Sequence, residues 1–473
     1  MNIENRKNRP VSASAALLAA ALAVMGFIMG CSTAGPPKIS VGVGETVITP
    51  PVGTPMRGYA RADVSKGVHD DLHARSLVIE GADGTAAVMM TLALCNIERS
   101  FLDSIRAGVT AQTGIPEKNI VVSCTHTHSG PEIEQASADY QNLLVARAVE
   151  SAVTAWNGRV PGRIGTGSAE VLELGRNDRR MEYGGLHPDP EAAIVRIEDG
   201  RGKLLGVAFN YGCHPSTLDL HNLDFTEDWP YYAIRGIKEV VGDDVWVAYY
   251  QSAQGDIKVG YTAELSAVGA LMPIRNWWYA EVKGRQMSKA VIETLPSITT
   301  SGDPAIKTAD GFFDYPLRDS YPLTASEAAR RSEEAKKTLA VMEQKADSLG
   351  RRELDRYRVA VFLTGLEANC AKWVEDNPNP APVSLEQQVI RIGDAVFVTF
   401  PVEVFSEIGF MVKQRSPFEK TFVIGLAGGY SGYVPTADEY SEGGYAVVGT
   451  HFSPQCEQVC IDASLGLIGR VTE

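Results

Sequence analysis

Short apolar runs of strand character alternate along this chain with segments of helical periodicity. That alternation constrains the fold more than any other property, because it calls for a mixed α/β (α+β) domain with helices packed on β-sheets. The runs Leu77–Ile79, Ala86–Leu94, Ile120–Ser123, Ala193–Ile197, Gly206–Asn210, Val245–Tyr249, Val389–Ile392 and Ala395–Phe400 are predicted strands. Phe101–Gln112, Tyr140–Ala155, Tyr231–Val241 and Asn276–Ile292 are predicted helices. With 473 residues, 44% of them apolar, the chain can bury one large core. From about 325 to 375 the composition shifts to Ala, Glu, Lys and Arg with helical spacing. This predicts one or two long helices inserted into the domain and packed on it, their charges forming a solvated face.

The N-terminus reads as a targeting segment. Arg6, Lys7 and Arg9 precede an apolar stretch from Ala13 to Met29, the order of a signal peptide. Ile28-Met29-Gly30-Cys31 resembles a bacterial lipobox. Residues 1–30 are then a leader, Cys31 the lipidated residue, 31–40 a tether and 41–473 a single large domain. On this reading the protein sits in the cell envelope and meets the membrane through its lipid anchor. Ser32 resembles the pattern that favours the outer membrane, and an uncleaved single-pass anchor is the alternative. The other six cysteines stand in a context where disulfides can form. Cys456 and Cys460 can share a helical face, whereas Cys95, Cys124 and Cys213 read as small buried residues; pairing stays open. A net charge of −14 with mixed signs and no basic stripe argues against a nucleic-acid partner.

Candidate chemistry gathers at the ends of the predicted strands. In Ser123-Cys124-Thr125-His126-Thr127-His128-Ser129-Gly130-Pro131 an apolar run meets a turn. Residues two apart on a strand share a face, so His126 and His128 are expected to project together from its C-terminal end. One structural and one surface histidine would give the same pattern. His214 precedes Pro215, which restricts it to an extended conformation where a strand opens into a loop. Asp256 lies in the polar loop Gln251–Ile257, directly after an apolar run. Glu403 stands alone among apolar residues in Phe400–Phe405, where a carboxylate needs a partner, a metal or a helix N-terminus. The loop from Gly428 to Thr436 is rich in glycine and carries Tyr430, a candidate substrate contact, and Tyr433.

Taken in order, these pieces resemble the catalytic N-terminal domain of the neutral/alkaline (non-lysosomal) ceramidase family. The likeness runs from Val41 to about Ile468 and includes Val41-Gly42-Val43-Gly44, Met56-Arg57-Gly58-Tyr59, Gly67-Val68-His69 through Arg75, and His126-Thr127-His128-Ser129-Gly130-Pro131. The resemblance implies a Zn2+ ion held by His126, His214, Glu403 and Tyr433, with His128 as the acid/base group. Imidazole nitrogen and carboxylate oxygen suit zinc, and a phenol is its less usual ligand. One departure bears on mechanism. The family's Gly-Asp-Val-Ser-Pro-Asn, whose Ser is the proposed nucleophile, reads Gly255-Asp256-Ile257-Lys258-Val259-Gly260 here. The family's C-terminal immunoglobulin-like domain is also not expected in a chain of this length.

The expected activity is cleavage of an amide or ester bond in a small-molecule substrate, an N-acyl lipid on the family pattern, by metal-activated water. Asp256 is expected to orient His128 or the water, Lys258 to meet an acidic substrate group, and Arg179 or Arg180 to hold a polar head. A hydrolase acting on a carbohydrate or other polar conjugate is one alternative; a catalytically inactive binding lipoprotein is another. His-x-His also opens the metal site of amidohydrolase-type barrels, but there it stands near the mature N-terminus.

Overall fold

The computed structural model describes residues 35–180, 185–346 and 349–472. The leader, Cys31 and the first part of the tether lie outside them. Among the described residues no helix is long and apolar enough to cross a membrane.

Two β-sheets packed face to face form the centre, with helices on their outer faces. The larger sheet has eight strands: β1 (Ile39–Val47), β2 (His73–Glu80), β3 (Ala86–Leu92), β4 (Ile120–Cys124), β5 (Val160–Glu170), β6 (Glu191–Asp199), β7 (Leu204–Tyr211) and β8 (Trp246–Gln251). Their spatial order is β8-β7-β6-β5-β1-β2-β3-β4. The smaller sheet runs β9 (Ile306–Tyr315), β10 (Val383–Ile392), β11 (Ala395–Thr399) and β12 (Lys420–Ile424), in that order. Most neighbours are antiparallel. Within these two sheets the parallel pairs are β3 with β4, β7 with β8, and β11 with β12.

Side-chain alternation along each strand explains the layers. On β4, Val121 enters the core between the sheets, where Val41, Ile79 and Met89 meet Ile390, Phe397 and Phe422. Its neighbours Ile120, Val122 and Cys124 point the other way, into the core shared with helices α1 (Arg99–Thr113) and α2 (Ala138–Asn157). Helices α3 (Trp229–Val241) and α4 (Trp277–Thr294) cover the other half of the large sheet through Trp229, Ile237 and Met287. The insertion forms two helices, α5 (Ala325–Glu343) and α6 (Arg351–Asp376). Thr324 and Glu327 start α5 with a reciprocal capping box. Helix α6 is less solvated than its composition suggests: Cys370, Ala371 and Val374 are buried, Trp373 stacks on His451 at 4.3 Å and Phe362 on Tyr445 at 5.8 Å. Helices α7 (Ser406–Arg415) and α8 (Cys456–Gly469) close the outer face of the small sheet. The six cysteines among the described residues are buried and free, with Cys456 and Cys460 on the inner face of α8.

Candidate metal centre

Three strands that belong to parallel pairs end at one place. Beyond β4 stands His126, beyond β7 His214 and beyond β11 Glu403, all almost fully buried. The two imidazole rings lie 4.7 Å apart. Strand alternation does not bring His126 and His128 together, because β4 stops at Cys124. The chain instead turns sharply, and His126 adopts φ +70°, a left-handed conformation that costs a non-glycine residue about 1 kcal/mol or more. Hydrogen bonds from Thr125 N to Leu92 O (2.9 Å) and from His126 N to Leu94 O (2.8 Å) hold that turn. His128 N donates to Pro215 O at 3.1 Å and so ties the two histidine loops to each other. Gly58 lies against His128: a Cβ there would stand 2.4 Å from the His128 Cα.

Backbone carbonyls set the tautomers. His126 Nδ1 donates to Cys95 O at 2.7 Å, and His214 Nδ1 donates to Ile257 O at 2.9 Å. Each ring is thereby left with an Nε2 lone pair facing inward, the usual support of a metal-binding imidazole. These Nε2 atoms lie 3.1 and 3.2 Å from Glu403 Oε2. That oxygen is buried and makes no aligned hydrogen bond among the described residues. These three ligand atoms converge within 4.8 Å of one another. Burial opposes charge on both partners, yet Glu403 lifts His126 to about 10 while His126 and His214 hold the Glu403 carboxyl well below its usual range. The triad attracts positive charge. Burial first, then Lys258, lowers His214 to about 3 and keeps it neutral. Two imidazole nitrogens and one carboxylate oxygen with an open side fit a divalent metal, which would replace the proton that Glu403 draws onto His126.

Tyrosines complete the wall. Glu403 pairs with Tyr433 across a short parallel bridge, which sets the two side by side, and the Tyr433 hydroxyl is within reach of the carboxylate. Tyr430 donates to Glu403 Oε1 at 3.0 Å, so it touches a candidate ligand as well as the open cleft. His128 Nε2 is 3.4 Å from His126 Nε2, and its Nδ1 is buried without a hydrogen bond. Burial and the two neighbouring imidazoles hold His128 well below its ordinary value. Lys258 Nζ lies 2.9 and 3.2 Å from the two ring nitrogens of His214, which places it over the ring face, and it donates to Gly255 O at 3.2 Å.

Other expected site residues are engaged elsewhere. Asp256 does not orient His128: its carboxylate accepts from Ser406 N (2.7 Å), Ser406 Oγ (3.0 Å) and Asn177 Nδ2 (2.8 Å), and so caps α7. A buried carboxylate at a helix N-terminus satisfies donors the helix cannot. Arg179 is committed to Glu439 at 2.7 Å and to Gly443 O, and Arg180 pairs with Glu439 at 2.6 Å, so both guanidiniums are engaged away from the triad. Two cavities flank the triad. One, of about 380 Å³, is lined by Arg57, Arg61, Cys95, His126 and Glu403. The other, of about 210 Å³, is lined by His214, Lys258, Tyr261, Tyr445 and, from α6, Phe362 and Leu366. Tyr445, Arg61 and the α6 side chains carry no local sequence signal; topology alone brings them in.

The sequence model described as neutral/alkaline non-lysosomal ceramidase, N-terminal, matches residues 39–228, a span that includes His126, His128 and His214. Neutral ceramidase of Pseudomonas aeruginosa is 23% identical over 482 aligned positions, covering 88% of this chain and 70% of that one. Neutral ceramidase 2 of Arabidopsis thaliana is 33% identical over 95 residues, 19% of this chain and 12% of its own length. Over most of the curated relatives it matches, this chain spans well under two thirds of their length, 29% for the neutral ceramidase of Oryza sativa. The crystal structure of the Pseudomonas aeruginosa neutral ceramidase superposes with a TM-score of 0.70 at 20% identity, over 92% of this chain and 75% of that one. The mixed α/β architecture, the ordered motifs and these matches agree: the chain has the fold of the solved neutral ceramidase, and its residues 39–228 are similar to the N-terminal part of the neutral/alkaline ceramidase family.

Proposed function

We propose that the protein is a zinc-dependent hydrolase of the neutral ceramidase type, cleaving an amide or ester bond. The observation that carries this reading is the convergence of His126 Nε2, His214 Nε2 and the unbonded Glu403 Oε2, with each histidine fixed by a backbone carbonyl. These three side chains, joined by Tyr433, would hold the ion; when bound, zinc polarises a carbonyl and acidifies water. His128, kept neutral, takes a proton at Nε2 and returns it to the leaving group. Lys258 occupies the place of the family's serine, so no hydroxyl nucleophile stands there and water attacks directly. The proposed setting is the cell envelope, with the lipidated Cys31 as anchor.

Metal analysis of the purified protein, with hydrolysis of short- and long-chain N-acyl sphingosines, tests the reading. About one zinc per chain, lost in His126→Ala together with turnover, is expected. A protein without zinc, or a His126→Ala variant that binds it as well as wild type, overturns it. Cations in the cleft favour a more polar, acidic substrate than ceramide as a second reading.

A further inference from the structure

We infer that Lys258 makes this centre select a substrate bearing a carboxylate next to the scissile bond, an N-acyl α-amino acid or O-acyl α-hydroxy acid, over a neutral amino alcohol. The inference rests on the hydrolase reading above and narrows it to a substrate class.

Lys258 is 3% exposed, yet among the described residues no carboxylate lies within 4.0 Å of its Nζ. A buried ammonium in that position calls for an anion. Asp256 and Asp178 act on it only through space. Asp256 is saturated by Ser406 and Asn177; Asp178 accepts from Ala263 N at Oδ2, while its buried Oδ1 makes no hydrogen bond among the described residues and lies beyond 4.0 Å from Lys258 Nζ. The ammonium lines the smaller cavity beside His128 and Tyr433, where a ligand can meet it.

Two further cations stand close by. Arg275, 6% exposed, spends its Nη2 on Tyr59 Oη and on Ser216 and Leu218 carbonyls, and stacks over Tyr261 at 4.0 Å. Arg61 donates to Leu220, Asn222 and His128 carbonyls. Neither pairs with a carboxylate among the described residues. Opposing them, Glu403 is committed to the histidines and Glu132 to Arg57, while Asp63 lies exposed at the rim. The larger cavity sets Arg57 and Arg61 against Glu132, Glu403 and Asp63, whereas the smaller one is lined by the Lys258 cation and no carboxylate, so the positive potential lies there.

The spacing fixes where the anion sits. Lys258 Nζ is 2.9 Å from His214 Nε2, one of the three converging atoms. A carboxylate held by Nζ and a carbonyl held at the triad can therefore belong to one small substrate, as they do where an α-carboxylate stands three bonds from the acyl carbonyl carbon. Phe362, Leu366 and Ala60 supply apolar wall for the acyl side.

The test compares N-butanoyl-alanine with N-butanoyl-alaninol, in which the carboxylate becomes a hydroxymethyl group, on the metal-loaded protein. Wild type is expected to favour the acid in kcat/KM by about 10- to 100-fold, the size of one charge-assisted hydrogen bond. In Lys258→Met and Lys258→Ser that ratio should fall toward one. Because the ratio is taken within each variant, general damage to turnover cancels. An unchanged ratio, or a wild-type preference for the alcohol, overturns the inference. Calorimetric binding of the uncleavable N-butylsulfonyl-alanine gives a readout independent of turnover: tighter binding by wild type than by Lys258→Met, by at least about tenfold, is expected, and equal binding counts against it. Hydrolysis without carboxylate preference would leave the hydrolase standing and remove the inference. Lysine-dependent binding with no hydrolysis of any amide or ester would do the reverse.

Discussion

Among the buried charged clusters of the described residues, two are built on opposite plans. On β2, Arg75 donates from Nη1 to both oxygens of Glu227 at 2.8 Å and from Nε to Glu45 at 2.7 Å, while His73 Nδ1 meets Glu227 at 3.0 Å. Arg75, Glu227 and Glu45 each have a partner of opposite sign. At the candidate metal centre, Glu403 Oε2 and His128 Nδ1 lack hydrogen bonds and Lys258 lacks a carboxylate among the described residues. Burial of charge is thus common to both, and only the unanswered atoms separate a site from a brace.

The largest expected effect falls on the open cluster. Glu403→Gln should lose the metal and about 10³-fold or more in turnover, while the metal-free variant melts within a few degrees of metal-free wild type; elemental analysis and calorimetry check both. A large fall in melting temperature would show the centre to be a brace after all. The closed cluster should respond the other way. Arg75→Met leaves Glu227 buried without its main partner and should cost about 3–5 kcal/mol in urea unfolding, with Glu227→Leu added on top recovering part of the loss.

A pH titration sharpens the same contrast. Burial alone would raise Glu227, but Arg75 and His73 bring it down to about 2. A depressed carboxyl contributes stability above its unfolded value of about 4.3, and that contribution is lost as pH falls through the folded value. Wild type should therefore lose on the order of 3 kcal/mol between about pH 5 and pH 2 through this group, and Arg75→Met should lose much less in that window.

How much of this was legible in the sequence follows from what each signal depends on. Strands such as Ile120–Cys124 and helices such as Ala138–Asn157 announce themselves through local periodicity, and the structure moves the bounds of the predicted segments by a few residues in either direction. Strand β5, with three glycines, and the polar strand β9 carry no such pattern and escape it. His126, His214 and Glu403 were readable because each follows an apolar run, although the reason His126 and His128 converge is a left-handed turn rather than strand alternation. Asp256 looked equally placed, yet its neighbour is the start of α7, some 150 residues onward, which no local pattern reveals. The same holds for Arg179 and Glu439, and for Phe362 reaching the cleft from the inserted helices.

The smallest effect is expected on α5, whose charges resemble the buried clusters in sequence and differ from them in setting. Arg330 pairs with Glu334 at 2.7 Å, four residues on, but the two side chains are 65% and 59% exposed. Water screens the pair, and fixing two long side chains costs entropy, so Arg330→Ala should shift urea stability by no more than about 0.5 kcal/mol. Turnover should not change, because the insertion meets the cleft through Phe362 and Leu366 of α6 and not through this face of α5. A loss of stability above about 1 kcal/mol, or altered kcat/KM, would mean that α5 transmits strain into α6, and the line drawn between answered, unanswered and solvated charge would have to be redrawn there.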